Sequence, residues 1–402
     1  AGRATAYGVQ LLLARLLAPA GYGQFAIGWK ILLIGGLFAT LGLDNGVVRY
    51  GAAYLGDKTG RLRSLVRRTV GISLLAGAIA GGTLLLISPW LAATVYRSPE
   101  LRPVLIAFAC GLIFVPALRV GAAATRVWQD MRYSVLSEDL TQPVVQLVLV
   151  LVFHWLGLQV VGAAAASVLS FALALALVLH YLRRLTAATA SAGSDSVVGT
   201  RELVAFSFPT SLAGTLSLAA MWIDLLLVGY FRSQAETGIY MAASQISFLF
   251  AVILMSFNAA FAPMIADLHH RGEQRRLREL YRTSTRWGLL LGVPLFVVIA
   301  VDPGGVLRLL MGPRYVDGAL ATVILASGQM INLATGAVGF LLVMSGRQNR
   351  WLVASAAALI LNVSLNLTLI PRFGLEGAAT ATTISVAALF GGGLLMVRRT
   401  MG

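Results

Sequence analysis

The sequence predicts an all-α integral membrane protein of about twelve transmembrane helices, arranged as two six-helix bundles. Of its 402 residues, 58% are hydrophobic and only 12% are charged, whereas soluble domains carry about 25% charged residues. Because this number of polar groups is too small to cover a water-facing surface, lipid must surround most of the chain. The second observation is an internal repeat that divides the chain into two halves.

The repeat has an offset of 215 residues. The segment 61–67 (RLRSLVR) returns as 276–282 (RLRELYR). At the same offset, Gly23, Gly121 and Arg132 return as Gly238, Gly336 and Arg347, and the pair at 183–184 returns at 398–399. Several matches at one offset, spread over both halves, indicate duplication and fusion, and two like-built membrane halves are typical of a transporter.

Apolar runs broken by Gly, Pro or Arg clusters predict the helices. After a short run at 4–18, which is less than the roughly 20 residues that a span needs, we expect first-half helices at about 25–43, 69–95, 101–125, 134–156 and 159–181. Second-half helices are expected at about 202–230, 238–262, 283–310, 316–345, 351–370 and 375–397. The predicted domains are an N-lobe at 1–185 whose first helix lacks its beginning, a cytoplasmic linker at 186–200, and a C-lobe at 201–402.

The loop charges predict the orientation. Of the 31 basic residues, 21 fall on one side of the twelve helices and only six on the other. The six are Arg97, Arg102, Arg232, Arg308, Arg314 and Arg372. The positive-inside rule places the richer side, with both termini, in the cytoplasm. Because each half has an even number of helices, the halves are expected to be related by a parallel pseudo-two-fold repeat. Topology therefore accounts for the net charge of +15, and nucleic-acid binding is not predicted.

Four cations fall at helix depth, and all lie in the first half: Arg3, Arg15, Lys30 and Arg119. A charge at the bilayer centre costs about 2.5 to 3.5 kcal/mol on insertion scales, so these side chains should face a bundle interior or a water-filled cavity, or snorkel to an interface. For Arg15, snorkelling and a cavity role stay equally open. An electropositive first half suits an anionic substrate such as a lipid-linked phosphate or pyrophosphate.

Five further charged residues are candidates for coupling or gating. Asp224 interrupts an apolar run, which predicts either a coupling-ion or proton site, or a structural hydrogen bond or ion pair with a cation of the other lobe. Asp44 and Arg49, near the end of the second helix, predict a gate or a local pair. Glu138 and Asp139 fall in the first turn of the fifth helix, where acids also interact favourably with the helix dipole.

The sequence offers no catalytic constellation. The histidines at 154, 180, 269 and 270 lack metal-ligand spacing, the single cysteine cannot form a disulfide within the chain, and no phosphate-binding P-loop occurs. We therefore predict a protein that is not an enzyme and that has no metal site and no cofactor.

Six short segments have recognisable sequences: 14–25 (ARLLAPAGYGQF), 43–50 (LDNGVVRY), 222–224 (WID), 261–263 (FAP), 345–348 (SGRQ) and 370–378 (IPRFGLEGA). They resemble segments of bacterial polysaccharide flippases of the multidrug and oligosaccharidyl-lipid (MOP) exporter superfamily. Each motif alone is loose, but together they extend over nearly the whole chain.

The resemblance implies a V-shaped, two-lobed transporter in the cytoplasmic membrane, with a central cavity that opens to each side in turn. It would carry an undecaprenyl-pyrophosphate-linked oligosaccharide for surface polysaccharide assembly. Arg15, Lys30 and Arg119 would contact the phosphates or sugar acids, and Asp224 would couple or hold the lobes. The implied partners are this substrate, membrane lipids, a coupling ion (H⁺ or Na⁺) and polysaccharide assembly proteins.

Two alternatives stay open. A cation-coupled multidrug exporter of the same superfamily would place acidic and aromatic residues in the cavity, whereas the first half here offers cations. A membrane-embedded glycan polymerase or ligase would need a long outer loop with catalytic side chains, and the outer loops predicted here are short.

Overall fold

The computed structural model describes residues 2–55, 60–187, 198–271, 273–344 and 347–401, and every regular element in these ranges is helical. Nine segments of this described part are long and apolar enough to cross a membrane. The last of them, Asn349–Val397, has 49 residues and bends at Gly374, where the sequence predicts two separate helices. The all-helical membrane fold is thereby confirmed.

The described residues of the first half form eight α-helices. They are α1 (Gly2–Leu16), α2 (Pro19–Ala39), α3 (Leu43–Ala53), α4 (Arg61–Trp90), α5 (Leu101–Thr125), α6 (Arg132–Ser134), α7 (Gln142–Trp155) and α8 (Gln159–Ala187). A π-helical turn at Leu91–Val95 extends α4, a second at Val135–Thr141 joins α6 to α7, and a 3₁₀ turn, Arg126–Trp128, follows α5.

The second half contains eight more α-helices. They are α9 (Thr200–Ala220), α10 (Ile223–Phe231), α11 (Gln234–His270), α12 (Gln274–Val301), α13 (Pro303–Leu310), α14 (Ala319–Thr335), α15 (Val338–Met344) and α16 (Gln348–Met401), with a 3₁₀ turn at Pro313–Gly318. Two predicted spans are each divided in two, with α9 separated from α10 at 221–222 and α14 from α15 at 336–337. A further break at 40–42, near the end of a predicted span, separates α2 from α3. Hydropathy alone does not reveal such breaks, because the residues in them are as apolar as their neighbours.

The chain forms two compact units. The first contains Ala1–Leu17 and Gln24–Ala219, and the second contains Ala18–Gly23 and Ala220–Gly402. Helix α2 therefore begins in the second unit and continues in the first. The predicted linker at 186–200 falls mostly outside the described residues, so the lobe boundaries stay a prediction.

In the first unit, α5 packs against both α4 and α8 and carries a nearly continuous series of buried residues. Small residues allow α4 to approach it closely. A methyl group added at Gly77 or Gly81 would collide with the carbonyl oxygen of Leu112 or Ala109. Such backbone proximity between membrane helices depends on side chains this small.

In the second unit, the repeat-related glycines meet. A Cβ at Gly23 would collide with the carbonyl oxygen of Gln234, and a Cβ at Gly238 would collide with that of Pro19. Gly23 and Gly238 are separated by the 215-residue offset, and so are Pro19 and Gln234. The start of α2 and the start of α11 therefore cross with two-fold symmetry at equivalent positions of the repeat. Also in this unit, Leu277 of α12 packs with residues of α15 and α16 in an apolar cluster.

Replacing Gly81 by Ala should lower the midpoint of thermal unfolding of the detergent-solubilised protein, because overpacking a tight contact costs about 1 to 3 kcal/mol. Gly82→Ala is the matched control, since no atom lies within 4 Å of the added methyl group. It should leave the midpoint unchanged or raise it through better helix propensity. Equal midpoints for the two variants would contradict the close α4–α5 packing.

Candidate functional site

A helix break positions the first candidate carboxylate. Leu41 and Gly42 both have left-handed backbone conformations, with φ of 52° and 69°. At Gly42 a side chain is excluded, because a Cβ would collide with the carbonyl oxygen of Ser207 on α9. Helix α3 restarts immediately afterwards, so Asp44 lies in its first turn, where the helix dipole favours a negative charge.

A cluster of charges surrounds Glu138 in the first unit. A terminal nitrogen of Arg126 lies 3.4 Å from Oε2 of Glu138. Arg119, Asp139 and Asp44 also lie close enough to interact electrostatically with Glu138. Arg119 and Arg126 are seven residues apart, which places them on one face of the helical segment formed by α5 and the turn after it. The structure therefore brings together four predicted site residues and adds Arg126, which the sequence placed in a loop.

The surroundings of Glu138 differ from the prediction. The helix begins at Arg132 rather than near 134, so Glu138 lies almost two turns inside it, within the π-helical segment Val135–Thr141. It is therefore not in the first turn, and an interaction with the helix N-terminus does not explain it. Single π-helical turns inside α-helices occur frequently at functional sites, since the extra residue redirects neighbouring side chains.

Asp44 has an unsatisfied oxygen. Its Oδ1 atom is buried and has no hydrogen-bond partner among the described residues. Leaving a buried acceptor unpaired costs about 1 to 3 kcal/mol, and more for a charged group. An oxygen in this state, beside the charges around Glu138, is available to accept a proton or a hydrogen bond from a ligand.

The predicted pair of Asp44 and Arg49 does not form within the described residues. The guanidinium carbon of Arg49 instead lies 4.0 Å from the ring centre of Phe206, and 5.9 Å from that of Tyr50. Five residues of helix separate the two charges by about 140° around the axis, so they point to different sides of α3. Arg49 therefore packs on α9 as a cation–π contact.

The other predicted cations lie on the first two helices. Arg15 is exposed in the last turn of α1, where the helix dipole favours a positive charge. Lys30 is half-buried in α2, next to Trp29, whose ring stacks between Phe25 and Phe171. The side chain of Arg3 lies outside the described residues.

In the second unit, Asp224 accepts hydrogen bonds from three groups. Its Oδ2 accepts from the Tyr240 hydroxyl at 2.7 Å and from Thr382 Oγ1 at 3.2 Å. Its Oδ1 accepts from the backbone N–H of Leu225 at 2.8 Å. Asp224 is 8% exposed and lies in the first turn of α10. The sequence left open an ion or proton site, a structural hydrogen bond, or an ion pair with a cation; the donors observed here are neutral.

The hydrogen bonds continue from Thr382 into the first part of α16. Asn362 Nδ2 lies 3.4 Å from Thr382 Oγ1, and Asn366 Nδ2 donates to Asn362 Oδ1 at 2.9 Å. The Oδ1 atom of Asn366 is buried and has no hydrogen-bond partner in the part of the chain that the structure describes. Carboxylate, hydroxyl and amide oxygens thus converge from α10, α11 and both parts of α16.

The sequence alone did not identify Tyr240, Thr382, Asn362 and Asn366 as residues of this site. The two asparagines were detectable, because their spacing of four residues in an apolar run places both amides on one helix face. Nothing in the sequence connected that face with Asp224, since the nearest of them is 138 positions away.

Comparisons with known proteins identify the family. A family model described as polysaccharide biosynthesis protein matches residues 12–319. The chain is also similar to the probable low-salt glycan biosynthesis flippase Agl15 of Haloferax volcanii, at 23% identity over 236 residues, which cover 58% of this chain and 50% of that protein. This chain thus spans about half the length of that curated relative.

Solved structures show the fold. A multidrug resistance MATE family transporter of the MOP superfamily, in an inward-facing conformation, matches with a TM-score of 0.80 and 16% identity, covering 99% of this chain and 94% of that one. The lipid II flippase MurJ, in an inward closed conformation, matches with a TM-score of 0.76 and 11% identity, covering 99% and 87%. With the family match extending over most of its length, the chain belongs to the polysaccharide biosynthesis protein family and has the fold of the MOP superfamily.

Proposed function

We propose that the protein is a flippase that moves a lipid-linked oligosaccharide, carried on undecaprenyl pyrophosphate, across the cytoplasmic membrane for surface polysaccharide assembly. The observation that carries this proposal is the concentration of cations at helix depth in the first unit, where Arg119 lies close enough to Glu138 to interact with it electrostatically. The family match and the similarity to a probable flippase support the same function. In this proposal the termini face the cytoplasm, and the transport partners are the lipid-linked glycan, membrane lipids and assembly proteins of the polysaccharide.

The proposed substrate site uses Arg119, Lys30, Arg15 and Arg3. A pyrophosphate offers several anionic oxygens, and guanidinium groups bind such oxygens in paired, charge-assisted hydrogen bonds. Removal of the phosphates from water makes these bonds stronger than they would be in solution. The lipid portion would stay in the bilayer while the glycan passes through the protein.

We assign a gating role to the carboxylates around Arg119. When no substrate is bound, Glu138 neutralises Arg126 and Arg119 and thus limits the cost of burying these cations. An arriving phosphate would compete with Glu138 for the same guanidinium groups. Glu138 and Asp139 would then be released from the arginines, and Asp44 would be a neighbouring acceptor. This change in ion pairing would occur only when substrate occupies the site. Arg49, which holds α3 against Phe206, would transmit movement of α3 to α9.

We assign ion coupling to Asp224. The ionised carboxylate accepts from two hydroxyls and an amide, whereas a protonated one would present a donor where Tyr240 and Thr382 now donate. Binding of H⁺ would therefore rearrange the contacts between α10, α11 and α16. The converging oxygens are also the ligand type that hard cations prefer, so Na⁺ is the alternative coupling ion.

A cation-coupled multidrug exporter is the second candidate. It is favoured by the fold shared with a multidrug resistance transporter and by the buried carboxylate of Asp224. The cationic first unit opposes it, because cationic drugs would be repelled there.

Arg119→Gln and Lys30→Gln should each lower the rate of lipid-linked glycan flipping by about 10- to 100-fold, since a hydrogen bond to a charged group contributes about 1.5 to 3 kcal/mol. The rate is measured in proteoliposomes, and surface polysaccharide is measured in cells. Arg63→Gln is the matched control, because Arg63 is exposed at the start of α4. If either variant is present in the membrane at the wild-type level and flips at the wild-type rate, the proposed substrate site is contradicted. Drug resistance in cells that overproduce the protein would favour the multidrug exporter.

Asp224→Asn should abolish the dependence of transport on an imposed ion gradient, because an amide cannot carry the negative charge that binds the ion. Tyr240→Phe removes one hydroxyl donor and should reduce coupling less. Asp317→Asn, at an exposed carboxylate of the same unit, is the matched control. Gradient-driven uptake is measured with H⁺ and Na⁺ gradients separately, and full coupling in Asp224→Asn would exclude this residue as the ion site.

A further inference from the structure

One face of α12 is exposed along the whole helix. Its members recur every three or four residues, which is the spacing of a single helix face. They are Arg275, Arg278, Arg282, Arg286, Leu290, Val293, Val297 and Val301. The opposite face packs into the second unit through Leu277, Gly288 and Ile299, which are all buried.

The side chains on this face change from basic to aliphatic at the middle of the helix. Its first four members are arginines, and its last four are aliphatic, with exposed fractions between 45% at Val293 and 79% at Val301. Trp287, 54% exposed, lies at the change, and tryptophan is enriched at membrane interfaces. A wall of a water-filled cavity would not expose four aliphatic side chains in succession, so this face contacts lipid tails along its second half. The arginines lie on the same face, so they point toward the bilayer as well.

The position of the helix in the bilayer sets the depth of these arginines. Helix α12 ends at Val301 and is followed by the exposed Asp302, which marks one membrane surface. At 1.5 Å per residue, Arg286 lies about 24 Å from Asp302 and Arg282 about 30 Å from it. The hydrocarbon core is about 30 Å thick. The Cα atom of Arg286 is therefore inside the opposite edge of the hydrocarbon, and that of Arg282 is at the edge.

At this depth a lipid-facing guanidinium reaches upward to the phosphate and glycerol groups of lipids. The arginines nearer the start of α12 are neutralised by glutamates of the protein. Arg276 lies 2.7 Å from Glu273, and Arg275 lies 3.3 Å from Glu279. No acid occupies the first turn of α12, although cations near a helix N-terminus are unfavourable. Arg282 and Arg286, which are four residues apart, also repel one another, so an anionic group beside both would stabilise them.

We propose that Arg282 and Arg286 form a binding surface for anionic phospholipid headgroups on the lipid-facing side of α12. The pair spans about 6 Å along the axis, and it continues into a face that contacts lipid tails, as expected for bound membrane lipids. The surface is independent of the proposed transport reaction. It makes the second unit sensitive to the charge of the leaflet that it contacts.

The test compares two double variants of the full chain in phosphatidylcholine nanodiscs that contain increasing phosphatidylglycerol. Arg282→Gln with Arg286→Gln removes two charges from the proposed surface. Arg275→Gln with Arg276→Gln removes two charges that glutamates already neutralise. Bound phosphatidylglycerol is measured by native mass spectrometry. The first variant should lose affinity by about tenfold or more, while the control should stay within about twofold of wild type.

Equal affinity in the two double variants would overturn the proposal. If the glutamine variant fails to fold, Arg282→Lys with Arg286→Lys and a salt titration of wild type replace it: retained binding that weakens as NaCl rises supports the surface, and salt-independent binding overturns it. A competition with undecaprenyl pyrophosphate distinguishes the source of the phosphate. Displacement of phosphatidylglycerol by equimolar undecaprenyl pyrophosphate would assign the arginines to the transported lipid and overturn the proposal, whereas no displacement supports it.

Discussion

The need to satisfy every backbone polar group inside a bilayer governs this structure. Water is absent from the hydrocarbon, so each amide and carbonyl must be bonded within its own helix or to a neighbour. Even the interruption at 40–42 obeys this requirement, because the amide of Leu41 bonds to Phe38 at 3.1 Å and that of Leu43 bonds to Thr40 at 3.0 Å. A helix can therefore break in the membrane only where local geometry and packing take over its hydrogen bonds.

The breaks in turn place the candidate acidic residues. Asp44 lies in the first turn after one break, and Asp224 lies in the first turn after another. A new helix N-terminus supplies free amides and a positive dipole end, which make a carboxylate less costly at that depth. Interrupted helices with charged groups at their broken ends are a recurrent way to build sites in transporters. The two carboxylates have different surroundings. Asp44 interacts electrostatically with Glu138 in a group of charges that includes Arg119 and Arg126, whereas Asp224 accepts hydrogen bonds from neutral donors.

The duplicated scaffold thus carries unlike chemistry in its two halves. The equivalent glycines, Gly23 and Gly238, meet in a symmetric crossing, so the repeat is used for packing. The charges that would handle an anionic substrate occur in the first unit, and the oxygen-rich network occurs in the second. Duplication supplied two similar bundles, and substitution inside each bundle then separated the proposed substrate site from the proposed coupling site.

The sequence by itself determined the membrane fold, the repeat and the identity of the costly charges, because these follow from hydropathy and from the period of the chain. It identified Asp44, Arg119, Glu138 and Asp224 one at a time, since a charge in an apolar run is visible locally. Only the tertiary structure decided their partners. Arg49 contacts Phe206 instead of Asp44, and Tyr240 and Thr382 reach Asp224 from helices remote in sequence. Hydrogen bonds and ion pairs depend on distances of a few ångströms between helices, and one sequence alone does not encode those distances in a readable form.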